Sequence, residues 1–294
     1  MYDAIIDFPD FLKFNDTVAG TIDNFVDWIN ATFSWFFDFI RFLIVALFNG
    51  VGFVLEMIPW WLYVLVVFYV AWRLYKSLGT GILLGALVAL IGVFGLWDEM
   101  IYTLAIILIS VFISFILGLP TGILMAKFKS FASVLKPILD MMQTLPSFVY
   151  LIPALMLLGI GRVPAVFATT IYAVPPLIRL TFLGISNVQE EVREAGQAFG
   201  STPLQLLFKI ELPQALSTIA AGVNQTTMMA VAMVVISSMI GAQGLGREVL
   251  VAIRQIEVGD GFVAGLAVVF LAIVLDRLLQ GLANKFDQTE GLDG

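Results

Sequence analysis

IYTLAIILISVFISFILGLPTGILMA, residues 101–126, carries no charged side chain. Crossing the hydrocarbon core of a bilayer takes about 20 mostly apolar residues in a helix, and this stretch has that length to spare. Lipid offers the backbone no hydrogen bonds, so a spanning segment closes them within a helix or a closed barrel. Long unbroken apolar runs favour the helix. Six other stretches qualify in the same way: residues 60–75, 78–96, 134–158, 163–185, 213–240 and 262–282. The chain as a whole is 60% hydrophobic and 13% charged, with a mean hydropathy of +1.00. An average soluble domain is roughly 45–50% apolar. The expected fold class is therefore an all-α integral membrane protein of about seven transmembrane helices.

Residues 33–58 are apolar too, but Asp38, Arg41, Asn49 and Glu56 interrupt them. Each charge costs roughly 2.5–3.5 kcal/mol near the bilayer centre. We expect an amphipathic helix lying in the interface, with Trp28, Trp35 and neighbouring Phe residues dipped into lipid, broken at Pro59 before the first span.

The chain has neither cysteine nor histidine, which removes disulfides, thiolate chemistry and the commonest metal ligand and proton shuttle. No catalytic constellation and no metal site is expected. The net charge of −7 is unevenly spread: Asp3, Asp7, Asp10, Asp16, Asp23, Asp27 and Asp38 lie in the head, offset there only by Lys13 and Arg41. An acidic start is the reverse of a signal peptide. It also suits a segment outside the cytoplasm, because basic residues concentrate on the inner side. Placing residues 186–212 inside puts Arg73, Lys76, Lys127, Lys129, Lys136, Arg193, Lys209 and Lys285 there, against Lys13, Arg41, Arg162, Arg247 and Arg254 outside. Trp60, Trp61 and Trp97 then fall at the outer headgroup level, as a belt of amphipathic rings.

The connection at residues 186–212 is long and polar where the other loops are short. Residues 188–199 are helix-forming with acids early, and Gly200 suits the left-handed position past a helix end. Ser201 or Thr202 can cap a second helix with Pro203 in its first turn. Leu204, Leu207 and Phe208 give that helix an apolar face. Such a pair of short helices is either an amphipathic loop on the membrane surface or a docking element, and periodicity alone leaves both open.

The residues Glu194-Ala195-Gly196, then three, then Gly200, then nine, then Ile210-Glu211-Leu212-Pro213 resemble the coupling loop of ABC importer permeases, E-A-A, three residues, G, nine residues, I-x-L-P. Gly196 replaces the third small residue, which keeps a close approach but weakens the helix by about 1 kcal/mol. Residues 224–246, from Asn224 through Gly246, resemble more particularly the membrane subunit of glycine betaine and proline betaine importers. The resemblance runs from about Trp60 to Lys285 and is weakest in the acidic head.

The resemblance implies a type I importer subunit on the bacterial inner membrane, assembled as a homodimer with two cytoplasmic ATPases and an external solute-binding protein, and taking no part in nucleic-acid binding. Glu194, Ala195, Gly196, Gly200, Ile210, Leu212 and Pro213 are then its ATPase-coupling positions. The chain lacks a Gly-x-x-x-x-Gly-Lys-Ser/Thr loop, so ATP and Mg belong on the partner. Glycine betaine is the expected solute, with choline, carnitine, trimethylamine N-oxide and proline as alternatives. The implied domains are the acidic segment 1–58, two accessory helices in 59–96, a permease core 97–285 and a tail 286–294.

Polar but uncharged residues within the spans, Gln143, Thr144, Asn224, Gln225, Thr226 and Thr227, are candidates for the path; the plainer role is helix-to-helix hydrogen bonding, around 0.6 kcal/mol per contact. Pro146, Pro153, Pro175 and Pro176 can interrupt helices beside them. On the outer side Arg247, Glu248 and Arg254 belong either to a solvated loop or to a surface that docks the binding protein; Gly241, Gly244 and Gly246 have the wrong spacing for a nucleotide fingerprint. A secondary transporter would instead use an ionisable residue within the spans, and Asp140, near Lys136, is the one that fits.

Overall fold

The computed structural model describes residues 15–290, with side chains from 17 to 285. The expectations for Asp3, Asp7, Asp10, Lys13, Asp16 and the 286–294 tail lie outside the described side chains. Every regular element among the described residues is helical. After α1 (Asn15–Thr32) and α2 (Ser34–Met57), the apolar stretches become α3 (Trp60–Tyr75), α4 (Leu78–Val93), α5 (Trp97–Lys127), α6 (Lys129–Thr144), α7 (Leu151–Leu158) and α8 (Arg162–Ser186). Two short cytoplasmic helices, α9 (Glu190–Ala198) and α10 (Pro203–Leu206), precede α11 (Leu212–Ser237), α12 (Leu245–Gln255) and α13 (Val258–Glu290).

At the centre α8 packs between α5 and α11. The approach is close because both contacts are made of small residues, as lipid-embedded helices require. A Cβ on Gly122 of α5 would stand 2.5 Å from Thr181 Cβ and 2.8 Å from the Ile178 carbonyl oxygen of α8. Gly184 of α8 faces Ala215 and Thr218 of α11 at 3.1 Å, and Gly222 of α11 faces Leu180 at the same distance. Across the α5–α8 seam the hydroxyls of Ser110 and Ser114 donate to the carbonyls of Val166 (3.3 Å) and Thr170 (3.4 Å).

The accessory helices α3 and α4 form a hairpin. Lys76 turns it in the left-handed region (φ 50) and Ser77 caps α4, accepting from the Thr80 N–H at 3.4 Å. Gly81 and Gly85 let α4 lie on Phe68 and Val64, and the Tyr75 hydroxyl donates to the Arg277 carbonyl, joining the hairpin to α13. Each of these helices has 16 residues, about 24 Å at 1.5 Å per residue. They are shorter than the helices around them.

Three details differ from the sequence reading. The run 134–158 is not one rod: Lys129–Thr144 and Ser147–Leu158 meet at 109°. Pro146 forces Leu145 into extended backbone (φ −67, ψ 133), as the residue before a proline is pushed. By contrast Pro175 and Pro176 leave α8 continuous. The run 78–96 ends its helix at Val93, and the chain turns through Gly95 (φ 74) so that α5 begins at Trp97, before residue 101.

Helix α2 has 24 residues and the apolarity to cross a bilayer. Its side-chain contacts nevertheless fall at the outer ends of its neighbours. Arg41 donates to the Leu158 carbonyl at 3.3 Å, Phe48 lies 4.9 Å from the Tyr102 ring and under the Arg162 guanidinium, and the Leu55 carbonyl accepts from Tyr63. The helix lies across the outer face of the core, and Asp38 and Arg41 pair with each other one turn apart at 3.9 Å.

Gly122→Val forces α5 off α8, and overpacking of this kind costs about 1–3 kcal/mol. The expected outcome is a clearly lowered thermal midpoint of the detergent-purified protein. Gly50→Ala, where a Cβ meets nothing within 4 Å, leaves the midpoint unchanged or slightly raised.

Candidate functional site: the hairpin between α8 and α11

Helices α9 and α10 form a compact hairpin beneath α8 and α11. Glu190 and Glu191 occupy the first turn of α9, where carboxylates meet the positive end of the helix dipole. The helix ends as its sequence implies. The N–H groups of Phe199, Gly200 and Ser201 bond the carbonyls of Ala195, Gln197 and Gly196 at 3.0, 2.9 and 3.1 Å, with Gly200 at φ 80. A Cβ at Gly200 would meet open space, so the turn demands glycine for its backbone angle and not for a close contact. Thr202 is the cap of the next helix: its hydroxyl accepts from the Gln205 N–H at 3.3 Å while the Gln205 side chain accepts from the Thr202 N–H at 2.9 Å. The Lys127 ammonium at the end of α5 reaches the Pro203 carbonyl at 3.5 Å.

The positions that the resemblance marks for coupling divide into two sets. Gly196 is buried, and a Cβ there would lie 2.4 Å from Ile210 Cδ1 and 2.9 Å from Leu206 Cδ1. The absent methyl is what lets α9 sit against the second helix. Leu212 joins the packing of Leu177, Ile185, Leu207 and Ala215. Glu194, Ala195 and Gly200 are exposed, and so are three apolar side chains beside them: Phe199 (91%), Leu204 (67%) and Phe208 (62%). Leu207, expected on the same apolar face as Leu204 and Phe208, is buried instead. The second helix winds into a π turn over Leu207–Glu211, where the Leu212 N–H bonds the Leu207 carbonyl. Pro213, with no N–H of its own, follows at once and the chain continues as α11.

One guanidinium holds the hairpin to the membrane helices. Arg193 of α9 donates to the Ile185 carbonyl at the end of α8, to Glu190 at 3.3 Å, and lies 3.2 Å from the carboxylate of Glu211, whose side chain is 9% exposed at the root of α11. Neither Arg193 nor Glu211 stands out among the motif positions. Their signal in the sequence is a lone cation within an acidic helix and an acid in an otherwise apolar Ile-x-Leu-Pro.

The candidate path residues do not converge on one surface. Asn224 donates to Asp276 of α13 at 3.0 Å, alongside Gln280. Thr226 and Thr227 are buried, Thr227 bonding the Val223 carbonyl. Gln143, Thr144 and Gln225 are exposed. Asp140 is paired not with Lys136 but with Arg179 of α8, while the Lys136 ammonium sits 4.6 Å above the Phe182 ring. On the outer side Arg247, Glu248 and Arg254 are carried by a regular helix, α12, not by a loop. Its entry is fixed by Gly244 (φ 103), next to Thr103, whose hydroxyl accepts the Leu245 N–H at 2.9 Å. Arg247 and Arg254 are exposed, as are Ile253 and Ile256. Among the described residues no group of three or more acidic, histidine or cysteine side chains is placed to hold a metal.

The described residues form a bundle of apolar helices long enough to cross a membrane, with a rigid hairpin between α8 and α11 that leaves large apolar side chains exposed. Residues 118–289 match the family described as binding-protein-dependent transport system inner membrane component. The chain belongs to that family and is an inner-membrane protein. It is 46% identical, over 91% of its length and 95% of the relative's, to the glycine betaine transport system permease protein OpuAB of Bacillus subtilis. It is 45% identical to the glycine betaine/carnitine transport permease protein GbuB of Listeria monocytogenes, over 91% of this chain and 96% of the other. The likeness to the glycine betaine/proline betaine permease ProW of Escherichia coli is 43%, covering 88% and 73%. Its fold is that of the membrane subunit in inward-facing structures of the MetNI methionine ABC transporter, with a TM-score of 0.58 at 22% identity, over 63% of this chain and 93% of that one.

Gly200→Val places a branched residue in the left-handed region at a cost of about 1–2 kcal/mol. Amide exchange in residues 190–206 is expected to accelerate by about tenfold or more, with the amides of α8 unchanged. Arg193→Ala leaves Glu211 buried without its cation, a loss approaching the roughly 3–5 kcal/mol of a broken buried pair. Exchange there should spread into the first turns of α11.

Proposed function

We propose that this chain is the permease subunit of an ATP-driven, binding-protein-dependent importer of glycine betaine. Two copies line the path, ATP and Mg bind to separate cytoplasmic ATPase subunits, and an external binding protein delivers the solute to the face that carries α12. The observation that carries the coupling role is the hairpin itself. Its inner residues are locked by Gly196, Ile210 and Arg193, and its tip presents Phe199, Leu204 and Phe208 to solvent. Exposed large apolar groups on a rigid polar loop mark a protein-protein contact. The solute assignment is supported by the names of three relatives at 43–46% identity. Choline, carnitine, trimethylamine N-oxide and proline are the neighbouring alternatives.

In this reading the ATPase grips the hairpin tip, with Glu194 as a polar anchor beside the apolar side chains. When the ATPases close on nucleotide the hairpin moves as one body. Arg193 then conveys the motion to both α8, through the Ile185 carbonyl, and α11, through Glu211. Because those two helices are also packed closely on each other, the displacement repacks the core and is not absorbed by a loose loop.

Proteoliposomes holding this chain with its co-purified ATPase and binding protein should take up radiolabelled glycine betaine only when ATP is supplied on the ATPase side. Phe199→Asp, at a 91% exposed position, should leave the permease folded and lower ATPase co-purification at least tenfold. Uptake without ATP would overturn the reading; displacement by excess choline would retain the importer and change the solute.

A further inference from the structure

Asp140 and Arg179 form an ion pair in an unusual place. Arg179 lies on α8 seven residues from its cytoplasmic end, about 10 Å along the axis, in the apolar sequence Pro175-Pro176-Leu177-Ile178-Arg179-Leu180. Asp140 lies on α6, the helix whose adjoining flank, Ala132 and Leu139, packs on Val174 and Ile178. Yet the pair is not enclosed: 38% of the Arg179 side chain and 65% of the Asp140 side chain are exposed. A charged pair at that depth does not face lipid, because intramembrane charges turn to the protein interior or to a water-filled cavity. The exposed face of α6 therefore borders water or the second copy.

Other features share this face. Gln143 and Thr144, one turn from Asp140 on α6, are exposed beside it. Tyr172 lies two turns from Arg179 on the same side of α8 and stacks edge-on with Tyr150, ring centroids 5.7 Å apart. Tyr150 is held in turn by donating its hydroxyl to the Met142 carbonyl. The strip thus offers a carboxylate, a guanidinium, two neutral amphipathic side chains and a fixed pair of electron-rich rings.

The geometry points to a transient solute site here, at which a small zwitterion with a quaternary ammonium and a carboxylate lies antiparallel to the Asp140–Arg179 pair. The solute carboxylate meets the Arg179 guanidinium, a planar donor suited to it. The solute ammonium meets Asp140, with the Tyr150–Tyr172 rings supplying the faces that attract such cations. Since each protein charge is already neutralised by the other, the solute is attracted as a dipole and not held as an ion. Affinity is weak, which suits a site that must release what it receives. The inference rests on the importer reading above and adds to it the residues that recognise both ends of the solute.

The test uses the purified permease–ATPase complex without binding protein or nucleotide, with radiolabelled glycine betaine in equilibrium dialysis and choline as a competitor that keeps the ammonium but lacks the carboxylate. Wild type is expected to bind glycine betaine saturably and in preference to choline. Arg179→Gln should weaken glycine betaine binding by about tenfold, the loss of one charge-assisted hydrogen bond, and strengthen choline binding, because the Asp140 carboxylate loses its cation. Arg179→Lys should recover part of the preference, and Asp140→Asn should weaken both ligands. If Arg179→Gln does not assemble, the ratio of the two ligands in Arg179→Lys carries the test. Absence of saturable binding in wild type, or an equal effect of the Arg179 change on both ligands, overturns the site. ATP-driven uptake measured on the same preparation separates the two failures: uptake without this binding removes only the site, and no ATP-driven uptake removes the importer reading itself.

Discussion

Everything in this molecule depends on how closely α8 can approach its two neighbours. Between helices in lipid there is no hydrophobic driving force, because the acyl chains are as apolar as the side chains they would replace. What remains is dispersion contact and hydrogen bonding, and both fall away steeply with distance. Gly122 against Thr181 and the Ile178 carbonyl, Gly184 against Ala215 and Gly222 against Leu180 make that approach possible. The Ser110 and Ser114 hydroxyls then reach carbonyls that a wider spacing would leave to their own helix.

The same three helices bear on the coupling role proposed for the hairpin. It connects the cytoplasmic end of α8 to the cytoplasmic start of α11, so any movement of it acts on two helices already in tight contact. A flexible connection would dissipate that movement. Here the π turn of Leu207–Glu211 gives Glu211 a buried position at the root of α11, and Arg193 spans from it to the Ile185 carbonyl and to its own helix. Gly196 completes the body by letting α9 rest on Ile210 and Leu206.

Much of this is legible in the sequence, and the limits have physical causes. Apolar runs identify helices because the bilayer imposes both length and backbone closure. The cap at Thr202 and the left-handed Gly200 follow from local chemistry and appear where their residue types predict. Apolarity says nothing of direction, however, so 134–158 reads as one span; Pro146 marks a place where it can break, but Pro175 and Pro176 carry the same signal and leave α8 continuous. Length and apolarity alone would let α2 span; the charges Asp38, Arg41 and Glu56 point to the interface instead, but not to the partners Leu158, Tyr102 and Arg162 that seat it across the outer ends of α5, α7 and α8. Counting basic residues by loop passes over Arg179 and Arg277, which sit within spans. Polar path residues are the least legible of all, because Asn224 looks the same whether it faces a solute or, as here, Asp276.

Four charged groups within the membrane-embedded core share a pattern that bears on energetics. Asp140 is answered by Arg179, Lys136 by the Phe182 ring, and Asp276 by the amides of Asn224 and Gln280. Each of these groups meets an opposite charge, a ring face or amide donors within the protein, which lessens the cost of holding it among apolar helices. In the proposed function, where a cytoplasmic partner drives the core, the hairpin fixed to α8 and α11 through Arg193 is the route for that partner's motion.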